Sequence, residues 1–409
     1  MSSIFLSFRR HKLWIVILAV VMLAAASGAL WAYSYQHQGN SSGQTVAQGS
    51  HKPPPPTPLQ CIAKLPTDFL AGQVLMVGLP ADQMSAQTAM FTKNDIGGAA
   101  MMTSPANPYD GSIITFKKSA GSLGIPLLVA TDEEGGMVQR FSTLGALPSP
   151  EYVATTMTPT QAQQMITAHS QKLKAVGIDM IFGPLADVAP AGGMSPLGNR
   201  VFSSNPAVVQ RYALAYVRGW QAGGLLPTIK HFPGMGSASG NTDYVPATTP
   251  PLAQLKQRDF IPYEGTMSQT GTAVMVGNQN VPGWFSGPAS LSPVPHTYLR
   301  LTLGYKNNLL VTDSLSAQAI TSTTTQVQAA VQAIAAGSDI ALIVELPNST
   351  AAQNDALFTQ MHAALVKAVQ DGTISKQQLE SSVLRKLNAQ HVDACSIKVA
   401  ATNPSKVSP

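Results

Sequence analysis

From residue 60 to residue 395 the chain alternates short apolar runs with longer stretches in which apolar residues recur every three or four positions. Eight short runs read as strands: 74–79, 97–102, 126–131, 179–182, 227–231, 273–277, 309–312 and 339–344. Several are apolar at almost every position, as expected of strands covered on both faces in a parallel sheet. Helical period is clearest over 207–222, just after Pro206, over 352–370, and over 376–389 beyond a Gly372-Thr373 break. Eight strands with helices between them predict an α/β fold, a parallel (β/α)8 TIM barrel forming a single domain over 60–395. No fixed-period repeat is visible, which argues against a solenoid.

The flanks follow other rules. Residues 9–12 read Arg-Arg-His-Lys, and residues 13–33 carry no charge. At the helical rise this run reaches roughly 30 Å, enough to cross a bilayer core. Segment 1–35 is therefore expected to export the chain. It would do so either as a retained anchor or as a signal peptide cleaved near Ala24, Ala25, Ala26 and Ser27. With no Cys over 25–35, a lipoprotein anchor is not indicated. Residues 36–59 are rich in Gly, Ser and Gln, end in a Pro53 to Pro56 run, and read as a linker. Residues 396–409 read as a flexible tail.

Composition narrows the partners. In 409 residues, a 44% hydrophobic content is enough for a large core and excludes general disorder. The net charge of +5 resides in residues 1–67, which hold five bases and no acid; the rest has 20 bases and 20 acids. A nucleic-acid-binding face is not indicated. Membrane association, if any, falls to the N-terminal segment. The two cysteines, Cys61 and Cys395, bracket the predicted barrel, whose first and last elements should be neighbours. An extracytoplasmic location would allow them to form a disulfide; the alternative is two free, buried thiols.

Polar residues gather directly after the predicted strands. Asp132, Glu133, Glu134, Gly135 and Gly136 follow the third, with Arg140 beyond; Asp187 and Arg200 lie after the fourth. The fifth ends in Lys230 and His231, and the seventh in Asp313. That rim is where a barrel of this kind builds its active site. Carboxylates with Arg and Lys suit a hydroxyl-rich ligand: Asp132 accepts from sugar hydroxyls, while Arg140, Arg200 and Lys230 donate. A carboxylate at a strand tip, Asp313, can attack an anomeric carbon. Taken singly, Glu134 and Asp187 read as helix caps or loop supports, Glu133 as a partner for an Arg, and the Met101-Met102 pair as barrel core.

Over roughly residues 60–392 the sequence resembles glycoside hydrolase family 3, in its single-domain β-N-acetylglucosaminidase branch. The resemblance rests on residues 73–78, on Asp132 through Arg140-Phe141, and on Lys230-His231-Phe232-Pro233-Gly234. It also rests on the strand that carries Thr312-Asp313-Ser314 and on the C-terminal helix pair. It implies a (β/α)8 barrel and retaining hydrolysis of terminal β-linked N-acetylhexosamines, such as N-acetylglucosamine in cell-wall fragments. No cofactor is required. Asp313 then corresponds to the nucleophile, and Asp132, Arg140, Arg200, Lys230 and His231 to sugar-binding positions. No metal cluster or dinucleotide fingerprint is present in the sequence.

One loop departs from that pattern. The family reads Lys-His-Phe-Pro-Gly-His-Gly, four residues, then Asp-Ser-His, with the last His as acid/base and the Asp orienting it. Here Met235 replaces the first His, Asn241 the orienting Asp, and Asp243 the acid/base His. Asn278 also stands where relatives commonly carry His. Asp243 is the candidate substitute acid, with Asn241 orienting it without adding a second charge. An ordinary Asp titrates near 3.9, so burial or a nearby carboxylate would have to raise it. The alternatives are a catalytically silent carbohydrate-binding relative and an active glycosidase with a changed sugar preference.

Overall fold

The structure, a computed structural model, describes residues 55–345 and 348–398. The expected segment 1–35, most of the linker and nearly all of the tail lie outside these residues. Among the described residues no helix is long and apolar enough to cross a membrane.

Eight parallel strands form the sheet: β1 Leu75–Leu79, β2 Gly98–Met101, β3 Leu128–Thr131, β4 Met180–Leu185, β5 Leu226–Phe232, β6 Ala273–Val276, β7 Leu310–Thr312 and β8 Ala341–Val344. They pair in the order β8-β1-β2-β3-β4-β5-β6-β7. A parallel bridge between Val311 and Ile340 joins β7 to β8 and closes the barrel. Alternate residues point inward. Met76, Ala100, Leu128, Met180, Met275 and Val311 help fill the interior, and Gly98 is bare because a Cβ there would stand 2.6 Å from Met76 Cε. The residues between them, such as Val77, Ile181 and Ile343, pack outward under the helices. Burial on both faces accounts for the unbroken apolar runs.

The fourth run is longer than the sequence implied. β4 continues through Gly183 and Pro184 to Leu185, with a register shift against β5 between Phe182 and Gly183. A bulge tolerates a proline that cannot donate to the ladder.

Helix Pro206–Ala222 shows how the outer layer is specified. Asn205 caps it by accepting from the Ala207 N–H, and Pro206 occupies the first turn. Val209, Tyr212, Ala213, Tyr216, Val217 and Trp220 form its buried face. It ends at Gly223, where a Cβ would collide with Ser170 Oγ of the neighbouring helix Pro159–Ala175 at 1.7 Å.

Both ends of the folded body lie further out than the sequence reading placed them. Thr57 opens a capping box on helix Pro58–Ile62, inside the stretch read as linker, and Ile397 packs on the core beyond the assigned start of the tail. Cys61 and Cys395 are joined by a disulfide with Cα atoms 5.1 Å apart, spanning 334 residues of sequence. In the chain-entropy account a loop of that size contributes about 6 kcal/mol, less any strain in the folded state.

Candidate active site

The loop after β3 supplies the floor of a cavity at the C-terminal rim. Residues Glu133–Gly135 pair with Val138–Gln139 as a small hairpin, and Gly135 and Gly136 turn it with positive φ. Glu133 is fully buried. One carboxylate oxygen accepts the N–H groups of Arg140 and Phe141 at 3.0 Å each. The other accepts from Gln139 at 2.8 Å and lies 2.8 Å from His169 Nε2. Glu133, read from the sequence as a partner for an Arg, thus holds the backbone N–H of Arg140.

Glu134 and Asp132 bind three cations between them. Glu134 accepts Arg200 Nε and Nη2 at 2.8 and 2.9 Å and pairs with Lys230 Nζ at 2.5 Å. Lys230 also donates to Asp132 at 2.7 Å, and Arg140 reaches the other Asp132 oxygen at 3.4 Å. Burial alone would push the Asp132 carboxyl up, but Lys230, Arg140 and Arg200 outweigh it and hold it down at about 2. Glu134 is lowered in the same way, against its burial, and Lys230 is raised because the two carboxylates overcome its desolvation. Glu134 is therefore no helix cap. It fixes Arg200 and Lys230, and shares Lys230 with Asp132.

Asp187, also read as a cap, holds His231. One oxygen accepts the His231 N–H at 3.1 Å and lies 2.7 Å from Nδ1; the other accepts the Met235 N–H at 2.6 Å. With Nδ1–H given to Asp187, Nε2 is left as the ring's free nitrogen. Simple strand alternation would send Lys230 and His231 to opposite faces. Both line the cavity, and the register between β5 and β6 shifts between Ile229 and Phe232.

Asp313 follows β7, its N–H bonded to Val276 O at 2.8 Å and one carboxylate oxygen accepting from the Ser314 N–H at 2.8 Å. Asn278 ties this turn to β6: its amide donates to Ser314 O at 2.8 Å and its oxygen accepts from Ser290 at 2.6 Å. Burial raises the Asp313 carboxyl above its ordinary range; His231 pulls it back, and the negative charge of Asp243 pushes it up again.

The altered loop is anchored on several sides. Met235 is buried among Leu185, Leu197, Val201, Ala238 and Ala247, and Thr242 Oγ1 contacts its sulfur at 3.3 Å. The N–H groups of Gln318 and Ala319 donate to the carbonyls of Asp243 and Thr242, each at 3.1 Å. Asn241 Oδ1 accepts the Asp243 N–H at 3.0 Å, so its amide oxygen shapes the turn instead of bonding the carboxyl. Asp243 itself is exposed. The burial expected to accompany an acid role falls on Asp313 instead.

All eight cavity residues named from the sequence line one hollow of about 910 Å³. The other two named residues form the disulfide. One further carboxyl lines the hollow: Glu345, directly after β8, pushed by burial up to about 7 despite the Gln87 amide that donates to it. The strand-tip rule would have found it. Of the Met101-Met102 pair, Met101 is core and Met102 lines the cavity.

A closed parallel barrel whose C-terminal rim holds a charged sugar-sized cradle and a buried strand-tip carboxylate defines a glycoside hydrolase. Residues 70–389 match the family model of the glycosyl hydrolase family 3 N terminal domain, and the chain belongs to that family. It is 34% identical to Beta-hexosaminidase LpqI of Mycobacterium tuberculosis over 385 residues, which cover 90% of this chain and 95% of that protein. The solved structure of a GH3 family glycosyl hydrolase from Mycobacterium smegmatis superposes with a TM-score of 0.73 at 34% identity, covering 80% of this chain and 98% of that one. A β-N-acetylglucosaminidase from Paenibacillus also gives 0.73, at 26% identity, covering 84% of this chain and 65% of that one. The chain is accordingly an enzyme that hydrolyses O-glycosyl bonds.

Proposed function

We propose that the chain is a retaining β-N-acetylhexosaminidase that removes terminal β-linked N-acetylglucosamine, with Asp313 as nucleophile and Asp243 as acid/base. One observation carries this reading: Asp313 opens into the same hollow as Asp132, Arg140, Arg200 and Lys230. The names of the relatives support the sugar. In the first step the Asp313 carboxylate attacks the anomeric carbon while the Asp243 carboxyl gives its proton to the departing oxygen. In the second, the Asp243 carboxylate takes a proton from water, whose oxygen displaces Asp313. Asp132 and the three cations bind the sugar hydroxyls, and His231, fixed by Asp187, offers Nε2. The disulfide between the ends of the fold supports an extracytoplasmic setting behind an exporting or anchoring segment 1–35.

The test is hydrolysis of aryl β-glycosides of N-acetylglucosamine and of glucose between about pH 4 and 7, with Asp313→Ala as control. Turnover lost in that variant supports the reading. Sugar binding without turnover by the wild type would establish a second reading, a silent carbohydrate-binding relative. The exposure of Asp243 is the observation that favours it.

A further inference from the structure

The barrel has a second hollow, at the pole opposite the catalytic rim. Its floor is built where strands begin, by Leu226 and Pro227 of β5 and by Leu309 directly before β7. It encloses about 560 Å³, inside the range of roughly 300 to 1,000 Å³ common for small-ligand sites. Lys117, Lys174, Asp179 and Arg385 bring charge to its wall. Asp179 accepts from Lys117 Nζ at 2.6 Å and from Lys174 Nζ at 3.2 Å. Asp339, which is buried, accepts from the Arg385 guanidinium at 2.7 Å and from that of Arg300 at 2.5 Å. Four bases on two carboxylates leave two positive charges over, with His391, also in the wall, counted neutral. Beyond residue 67 the chain holds 20 bases and 20 acids, so the excess is local.

The carboxylates are crowded with donors, and the bases have donors to spare. Asp339 also accepts from Ser382 Oγ at 2.9 Å and from the Leu310 N–H at 2.8 Å, and Asp179 accepts the Val129 N–H at 3.2 Å. Among the described residues the ammoniums of Lys117 and Lys174 bond Asp179 alone and the Arg385 guanidinium bonds Asp339 alone, so each keeps N–H groups for a ligand. Lys117 and Lys174 lie in the last turns of helices Ser112–Ser119 and Pro159–Ala175, whose negative ends attract a base. That attraction accounts for a lysine at each helix end. It does not bring the two onto one carboxylate in the wall of a hollow that Arg385 also lines. We propose that this hollow binds a small organic phosphate monoester, with the phosphate on Lys117, Lys174 and Arg385 and the carbon body on the apolar floor. A monoester carries close to two negative charges near neutral pH on one compact group with three acceptor oxygens, which matches the excess. Lysine ammoniums and a guanidinium fork are the groups that hold such oxygens. The inference does not depend on the roles of Asp313 and Asp243.

The test is calorimetric titration of the whole chain with glycerol 3-phosphate, the diester glycerophosphoglycerol, succinate and glycerol. Glycerol 3-phosphate should bind at least about tenfold more tightly than the other three. The diester carries one charge, succinate divides two between its ends, and glycerol has none. Lys174→Gln should weaken the binding of glycerol 3-phosphate about three- to tenfold and Arg385→Gln about tenfold or more, whereas Lys174→Arg should retain it. Lys117 stays on Asp179 in the Lys174 variants, so a failure of Arg385→Gln to fold leaves the test standing. No measurable binding of glycerol 3-phosphate, equal affinity for the diester or for succinate, or binding that Lys174→Gln leaves unchanged overturns the proposal. Saturating N-acetylglucosamine should not displace the phosphate ester. Displacement would put the ester in the catalytic cavity and overturn the proposal as well.

Discussion

The two sides of the cavity are built on different physical terms. On the cradle side, Glu134 is buried and Lys230 nearly so, and these two meet opposite charges at 2.5–2.9 Å. Removing one member leaves its partners charged and dry. On the opposite side, Asp243 stands in solvent on a loop held by main-chain hydrogen bonds and by the burial of Met235. Its side chain can change without stranding a charge. The difference accounts for a loop that carries Met235, Asn241 and Asp243 together, with Met235 buried and Asp243 exposed, beside a cradle of paired charges. Substitutions are affordable only where no buried counter-charge depends on them.

The largest effect that would sharpen this contrast is chemical. Asp313→Ala should reduce kcat by at least about a thousandfold, measured on an aryl glycoside. Asp243→Asn should come next, slowing substrates with poor leaving groups by about 10²- to 10⁴-fold and activated aryl glycosides far less. The same variant should move the acid limb of kcat/KM. Asp313 must be ionised to attack, burial raises its carboxyl, and the charge of Asp243 adds to that rise. Activity therefore falls as pH drops through the raised value, and deleting the Asp243 charge shifts that limb toward lower pH. An unmoved limb would break the link between the two carboxylates.

Stability should respond in the opposite order. Glu134→Gln strands part of the charge on Arg200 and Lys230 and should cost about 3–5 kcal/mol in a denaturant titration, whereas Asp243→Asn should stay within about 0.5 kcal/mol. Between these two lies the pH dependence from Asp132. Its folded value of about 2 lies below the ordinary 3.8, so its contribution is complete above the ordinary value and lost as pH falls toward 2. It amounts to about 2 kcal/mol, and Asp132→Asn should flatten that part of the acid unfolding curve.

Much of this was legible in one dimension. The eight strands announced themselves because burial on both faces leaves most of their positions apolar. The cradle followed because strand tips at one rim converge. Pairing was not legible: Glu134 meets Lys230 across 96 residues of sequence and Asp187 meets His231 across 44, and no local pattern distinguishes such carboxylates from helix caps. The early start of the body at Thr57 was readable, since Thr57, Pro58 and Gln60 form a capping box, but the prolines before it masked the signal. Exposure of Asp243 depends on how the loop folds over Met235, which spacing does not encode.

The bond between Cys61 and Cys395 gives the body no loose end from which to peel. Between the two cysteines, native-state proteolysis should therefore begin at an internal loop, and the resulting pieces should migrate as one species on a denaturing gel until a reductant separates them. Where that first nick falls would show which loop opens most readily.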